Sequence, residues 1–460
     1  MTQIMLINPN LKNTKYVSKV NAFILPPTSL ILIGTYLKEK KYSVSIFDGH
    51  IHCEVIEDFL DKIASTKPNI IGMTVSVGQY EFVKKLGVLI KQKFPNIIII
   101  VGGTDLANKS DTIAKTPFDY VILGDGEEVC LQLVNSITNK KQPPLIKGLI
   151  SKSENKSFNK CFQAHLSDID KYPNPDYSLI NMKEYKSGLI YGKTQQSIPI
   201  ITSRGCPYKC SFCVYSLSPK KYVTKSAKRV FNEIKSYIKS GFNDFWFCDD
   251  NFMNDKKRVE EICKLIIKSN IKITWHCMAR VNDIREELVS LMKQAGCWQI
   301  AFGIESGSQE ILNSVHKGIT LKQISEAIKT VNASNIITKG LFILGLPKET
   351  KKTINKTISF AKKLKLDMAI FFLLSIEEGT QISLDYPMYG HISTSDSVIL
   401  THGNNIFVPK GLTKKYLIRK QKEAILRFYF RPNYLIRQLR KRSLKEIIHY
   451  TKAFFKVIRI

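Results

Sequence analysis

The sequence predicts an α/β protein: an N-terminal doubly wound parallel sheet, then a partial (β/α)6 barrel, then a basic helical C-terminal segment. Two observations predict the first two parts. Short, nearly continuous apolar runs alternate with longer segments of 3.6-residue periodicity, the pattern of parallel strands covered by helices on both faces. The alternation stops near residue 138 and restarts near residue 196. A third observation, the charge distribution, sets off the tail. The 460 residues carry 69 basic and 39 acidic side chains, a net +30. Residues 1–145 hold 16 and 13 of these, residues 146–385 hold 37 and 23, and residues 386–460 hold 16 and 3. A hydrophobic content of 44% is enough for sizeable cores and excludes global disorder.

In the first part the expected strands are Ile4–Asn8, Ser43–Phe47, Ile70–Val75, Ile97–Val101 and Tyr120–Leu123. The expected helices are Ser29–Lys40, Glu54–Ala64, Tyr80–Phe94, Asp105–Ala114 and Glu127–Ile137. Five βα units within 1–145 make a Rossmann-like domain. Ligands of such sheets bind past the carboxyl ends of the strands. Those ends carry Asn8-Pro9, Thr74-Val75-Ser76, Gly102-Gly103 and Gly124-Asp125-Gly126. Glycines there admit close backbone approach, and small hydroxyls can bond a polar ligand without blocking it. The spacing does not match Gly-x-Gly-x-x-Gly, which disfavours a dinucleotide. No arginine precedes Arg204, so the usual bidentate phosphate clamp is missing.

Residues 146–195 have no sustained period and contain Pro173, Pro175 and Asp176; they read as a linker. From 196 to 385 the expected strands are Ser197–Thr202, Asp244–Cys248, Lys272–Cys277, Gln299–Ile304, Thr338–Leu344 and Met368–Leu374. Between them lie helical segments Lys225–Lys239, Lys256–Lys268, Arg285–Gln294, Leu321–Ala333 and Glu349–Leu364. Parallel βα units in series curl toward a barrel.

Just after the first strand of this half stands Arg204-Gly205-Cys206-Pro207-Tyr208-Lys209-Cys210-Ser211-Phe212-Cys213, a Cys-x3-Cys-x2-Cys run. Thiolates are soft ligands that suit zinc, copper(I) or iron–sulfur clusters. A structural zinc commonly takes a second Cys pair, which is missing here. Three thiolates instead suit a [4Fe–4S] cluster with one iron left open. Zinc, and a triplet that binds nothing, remain the alternatives.

This motif after the first strand of a βα barrel resembles that of radical S-adenosylmethionine (radical SAM) enzymes, and the preceding domain is similar to their cobalamin-binding domain. The group resembled includes the anaerobic magnesium-protoporphyrin ester cyclase and several methyltransferases; the resemblance spans roughly 1–385. It implies that Cys206, Cys210 and Cys213 bind three irons and that the fourth iron chelates SAM. It implies that Phe212 packs near the adenine, that Asp249 and Asp250 meet the SAM amino end, and that Arg280 pairs with its carboxylate. Glu305 and Ser306 would contact ribose and carboxylate, and Gly345 would form the adenine-side turn. Thr74, Ser76, Gly102 and Gly103 would hold the cobalamin tail. The family's Asp-x-His-x-x-Gly element is absent; Asp48-Gly49-His50 lacks its spacing.

The implied activity is reductive SAM cleavage that starts radical chemistry, with methyl transfer to an unactivated carbon first and radical cyclisation or rearrangement second. A non-catalytic iron–sulfur or zinc protein on RNA is the reading from a different class. Expected partners are a small, hydrophobic substrate and a reductant such as flavodoxin or ferredoxin. Around Ile425–Pro432, Leu435–Arg442 and Leu444–Ile460, apolar and basic residues recur at helical spacing. They fit packing on the barrel, contact with an anionic membrane surface or, least well, nucleic acid. No signal peptide or run of about 20 apolar residues is present, so the expected location is the cytoplasm, with a peripheral membrane option.

Overall fold

A computed structural model describes residues 2–10, 24–76, 78–104, 106, 113–152, 163–188, 192–214, 222–394, 405–432 and 434. The chain forms two compact units, Met1–Tyr185 and Lys186–Ile460.

The first unit is built on a six-stranded sheet of order β2-β1-β3-β4-β5-β6. Its strands are β1 (Gln3–Asn8), β2 (Ser43–Asp48), β3 (Ile70–Thr74), β4 (Ile98–Gly102), β5 (Tyr120–Ile122) and β6 (Leu149–Ser151). The first five pair in parallel, and β6 is antiparallel to β5. Alternation sorts the side chains. Met5 and Ile7 join Phe59, Val83 and Leu86 on one face, while Ile4 and Leu6 join Leu30, Leu37 and Leu133 on the other. Helices α1 (Thr28–Glu39) and α5 (Glu127–Thr138) cover the second face. Helices α3 (Glu57–Thr66) and α4 (Tyr80–Lys93) cover the first, and α2 (Gly49–His52) is a single turn capped by Asp48. The expected helix Asp105–Ala114 lies mostly outside the described residues; its end is a 3-10 turn, Ile113–Lys115.

Of the segment expected as a linker, the described residues up to Tyr185 belong to this unit and contribute β6, whereas Lys186 onward belongs to the second, where the Thr194 amide donates to Asp244. The Asp176 amide donates to Thr35 Oγ1 at 2.8 Å, and the Tyr185 hydroxyl donates to Asp48 Oδ2 at 3.0 Å.

The second unit carries a parallel sheet of order β14-β13-β12-β11-β10-β7, six strands in unbroken sequence order. These are β7 (Ile198–Ile200), β10 (Asp244–Phe247), β11 (Thr274–Ala279), β12 (Cys297–Glu305), β13 (Ile337–Leu344) and β14 (Met368–Leu373). A small ladder, β8 (Ser203–Arg204) with β9 (Val223–Thr224), follows β7. The crossovers contain α6 (Ala227–Lys239), α7 (Lys256–Lys268), α8 (Glu286–Gln294), α9 (Gln309–Ser314) with α10 (Leu321–Ala333), and α11 (Lys351–Lys363). Side-chain caps start α6, α7, α10 and α11: Ser226, Asp255, Thr320 and Thr350 each accept an amide of the first turn. After β14 come α12 (Gln381–Tyr389), a hairpin of β15 (Gly390–Thr394) and β16 (Asn405–Pro409), and α13 (Lys414–Tyr429).

Helix α13 buries Leu417, Ala424, Ile425 and Phe428. It also satisfies the outer backbone of β14. Gln421 donates to the Phe371 carbonyl, and the Tyr429 hydroxyl bonds both the amide and the carbonyl of Ala369. Beyond Tyr434 the basic tail lies outside the described residues. Among the described residues no helix is long and apolar enough to cross a membrane.

Candidate functional site

The three cysteines of the triplet sit on one loop between β8 and β9. The loop is stitched to the carboxyl end of the sheet. Ser211 donates its amide to the Val315 carbonyl past α9, and its carbonyl accepts from Ile382 at the start of α12. Cys213 N–H returns to the Cys210 carbonyl at 3.0 Å. Cys210 is buried, whereas Cys206 and Cys213 are partly open. Among the described residues no three Cys, His, Asp or Glu groups gather around a single-ion point.

Arg280, at the end of β11, reaches this loop. Its Nη1 lies 3.4 Å from Cys210 Sγ, and its guanidinium carbon lies 3.7 Å from the centre of the Tyr208 ring. Its Nη2 donates to the Lys317 carbonyl. The Tyr208 amide bonds the Cys206 sulfur, and Asp250 and Arg280 both bear on that thiol electrostatically; burial is the largest influence and pushes it upward. Phe212 packs with Ile311, Val315, Leu346, Leu374 and Phe407, and Lys317 Nζ stands 5.8 Å from its ring.

Asp249 is almost fully buried, and its carboxylate faces the strand leading into the loop. Oδ1 accepts the Thr202 and Ser203 amides at 2.6 and 2.9 Å, and Oδ2 accepts the Thr202 hydroxyl. Arg258, in the first turn of α7, donates Nη1 to the Thr202 carbonyl and hydroxyl at 3.0 and 2.9 Å; its Nη2 lies 3.7 Å from Asp249. Asp250 is exposed.

Glu305 ends β12 in the left-handed region, φ +64°, where the register with β13 shifts. A non-glycine there costs on the order of 1–3 kcal/mol and needs a compensating contact. Lys317 supplies it at 2.7 Å, with both side chains about 8% exposed. A Cβ on Gly303 would fall 2.5 Å from Glu305 Oε1 and 2.9 Å from Lys317 Nζ, so the glycine makes room for the pair. Ser306 Oγ lies 3.0 Å from Thr357 Oγ1 of α11. Gly345 has φ +89° and gives its amide to Glu349 Oε2 at 2.6 Å. Burial pushes the Glu349 carboxyl up to about 8.

In the first unit, β1 and β3 neighbour each other and lead into crossovers on opposite faces, which opens a crevice at their carboxyl ends. Thr74 is half-buried and Ser76 is exposed, its amide capped by Gln79 Oε1. At Gly102 an added Cβ would find its nearest atom at 3.5 Å; at Gly103 it would strike the Val75 carbonyl at 2.3 Å. Gly103 therefore serves the close approach of two strand ends, while Gly102 has space beside it. Asp48 is buried against Asn8, the His50 amide and Tyr185, and desolvation raises its pKa despite those donors.

Lys317 and Arg258 escaped sequence reading. Arg258 stands beside Lys256 and Lys257, Lys317 stands apart from other lysines, and the burial of each arises only from tertiary packing.

The chain matches the family model described as the radical SAM superfamily over residues 200–361, and that described as the B12 binding domain over residues 15–134. It is 30% identical over 420 residues to an uncharacterized methyltransferase of Pyrococcus horikoshii, covering 90% of each chain. It is 28% identical over 357 residues to the anaerobic magnesium-protoporphyrin IX monomethyl ester cyclase of Rubrivivax gelatinosus, covering 75% of this chain and 63% of that one. Among solved structures, the radical SAM methyltransferase TsrM from Kitasatospora setae superposes with a TM-score of 0.70 at 16% identity, over 94% of this chain and 90% of that one. The cobalamin-dependent SAM radical enzyme OxsB superposes with a TM-score of 0.74 at 17% identity, over 98% and 70%.

The chain belongs to the radical SAM enzymes that carry a B12-binding domain. Its cofactors are a [4Fe–4S] cluster, SAM and cobalamin. The residues present fit them. A single loop offers three soft thiols with a guanidinium and an amide directed at their sulfurs, and the crevice of the first sheet has an unobstructed Gly102.

Proposed function

We propose that this enzyme transfers a methyl group to an unactivated carbon of a small hydrophobic molecule. The observation that carries the proposal is the thiol triplet on a loop at the carboxyl end of the six-stranded curl, in a chain that also holds a B12-binding unit. Cys206, Cys210 and Cys213 would hold three irons, and Glu305, Ser306, Phe212, Gly345 and Asp250 would surround SAM. Thr74, Ser76, Gly102 and Gly103 would line the corrinoid tail. Bound there, the cluster supplies one electron to cleave the SAM sulfonium and the corrinoid supplies a transferable methyl group.

The chain's own residues set the conditions. Asp249 and Arg258 fix the strand entering the cysteine loop, a positioning role. Lys317 holds Glu305 in its left-handed bend. Ile343, Ile370 and Phe372 alternate with the buried Leu344, Phe371 and Leu373 on their strands and would give the opposite face of the curl an apolar surface, which limits side reactions of a radical. The name of the Pyrococcus horikoshii relative supports methyl transfer; the likeness to the cyclase keeps radical ring formation as a second reading. Flavodoxin or ferredoxin would supply the electron. A cytoplasmic location fits this oxygen-sensitive chemistry, and the basic residues 435–460 keep contact with an anionic membrane as a proposal supported by composition.

The test is anaerobic reconstitution with iron, sulfide and cobalamin, followed by dithionite and SAM. Wild type is expected to yield 5′-deoxyadenosine, and each single Cys→Ala variant at 206, 210 and 213 to lose cluster iron and that product. Metabolite mass spectrometry should find a product heavier by one CH2. Intact SAM with a fully loaded wild type would overturn the reading; a substrate-derived product without the added CH2 would favour ring formation.

A further inference from the structure

We propose that Arg280 is a tuning residue for the iron–sulfur cluster, acting through the Cys210 sulfur, and is not the grip on the SAM carboxylate. This rests on the reading of the three cysteines as cluster ligands. Three contacts fix the guanidinium. Nη1 points at Cys210 Sγ from 3.4 Å, Nη2 is held by the Lys317 carbonyl, and the plane lies against Tyr208 with 3.7 Å to the ring centre. The side chain is 8% exposed, and among the described residues no carboxylate pairs with it. Only Nε is buried without a partner. A grip on a free carboxylate would call for a fork free to turn, whereas each outer nitrogen is anchored on a protein atom and only Nε–H and the second N–H of each remain uncommitted.

What this placement does follows from electrostatics. The reduction adds one electron to the cluster and makes no bond to protein. A hydrogen bond to a ligating sulfur, and a positive charge beside it that is in ion-pair contact with no carboxylate among the described residues, both favour the reduced form. Arg280 therefore raises the cluster's reduction potential and brings it closer to that of a one-electron donor protein. Tyr208 contributes by holding the guanidinium plane, and its position inside the motif ties the tuning group to the loop it acts on. The Lys317 carbonyl links it to the residue that braces Glu305, so one strand end serves the sulfur side and the next serves the SAM side.

The experiment is a redox titration of the full-length, anaerobically reconstituted protein, followed by electron paramagnetic resonance in the absence of SAM, with SAM affinity measured separately. Arg280→Gln is expected to shift the midpoint to more negative potential while losing less than about tenfold in SAM affinity, the scale of one charged hydrogen bond. An unchanged midpoint with a SAM affinity weakened about tenfold or more would overturn the proposal and return Arg280 to the carboxylate. Tyr208→Leu keeps the thiols and the guanidinium but removes the stacking face; it is expected to shift the midpoint the same way by less. If Arg280→Gln assembles no cluster, the Tyr208→Leu midpoint decides, a negative shift supporting the proposal and an unchanged value overturning it. A wild type that shows no cubane signal would sink the cluster reading itself, whereas a normal wild-type signal with unmoved variants sinks only the role of Arg280.

Discussion

Asp249 illustrates how one residue can carry a different duty from the one its position suggests. A carboxylate at the end of the second barrel strand reads from sequence as a cofactor contact. Folded, it accepts three donors from Thr202 and Ser203 and has Arg258 beside it. Removing one partner of such a buried charged network costs about 3–5 kcal/mol. Arg258→Met is therefore expected to lower stability by about 3 kcal/mol or more and to reduce iron incorporation. Urea denaturation of the apoprotein and iron analysis after reconstitution check this; unchanged values for both would refute the clamp. The cysteine triplet was legible because its ligands are local in sequence. Arg258 was not, since one basic residue among Lys256, Lys257 and Arg258 has nothing local to distinguish its buried destination.

At the level of elements, strands and helices inside the regular alternation were legible and the pieces outside it were not. Strands β1 to β5 and the six strands of the curl fall where apolar runs predicted them, because continuous burial on both faces demands such runs. The short β6 and the ladder of β8 and β9 lie outside the strand–helix alternation that marked the equally short β5 and β7, and β15, Gly390–Thr394, holds one large apolar residue in five. Two glycines on β4 and its end make a test. Gly103→Ala places a methyl 2.3 Å from the Val75 carbonyl at φ +137°, so it is expected to cut stability by about 1–3 kcal/mol along with corrinoid uptake. Gly102→Ala has ordinary contact space and is expected to keep its melting temperature. Thermal melts and the visible spectrum after loading separate the two effects, and loss of uptake in Gly102→Ala with an intact melt would mark a ligand approach.

The turn after β13 gives a pH signature. Burial raises the Glu349 carboxyl from 4.5 to about 8, so the folded state holds its proton more tightly than the unfolded chain does. The sign follows from linkage: stability declines as pH rises from the ordinary carboxylate range through about 8. Glu349→Gln removes that titration. Between pH 5 and pH 8 the wild type should therefore lose more in urea midpoint than the variant; parallel losses would refute the shift.

For the whole molecule, the alternation of apolar runs predicted two α/β bodies, and each has its own sheet and core. What the sequence did not disclose is that residues 149–152 and 163–185 pack on the first body, since their anchors are single contacts such as Asp176 to Thr35 and Tyr185 to Asp48. A polypeptide of residues 1–185 is expected to unfold cooperatively and to take up cobalamin. Denaturation by circular dichroism with corrinoid titration checks it, and a chain ending at residue 145, lacking β6 and Tyr185, should be less stable.

The helix laid along β14 has a consequence for how this architecture can change. With Gln421 and Tyr429 occupying its outward amide and carbonyls, the terminal strand offers no template for a neighbour. Growth toward a closed eight-strand cylinder is blocked on that flank, and so is accidental strand-to-strand association between molecules. Diversification toward bulkier substrates must then come from the loops at the carboxyl end, with the terminal strand held as a fixed boundary.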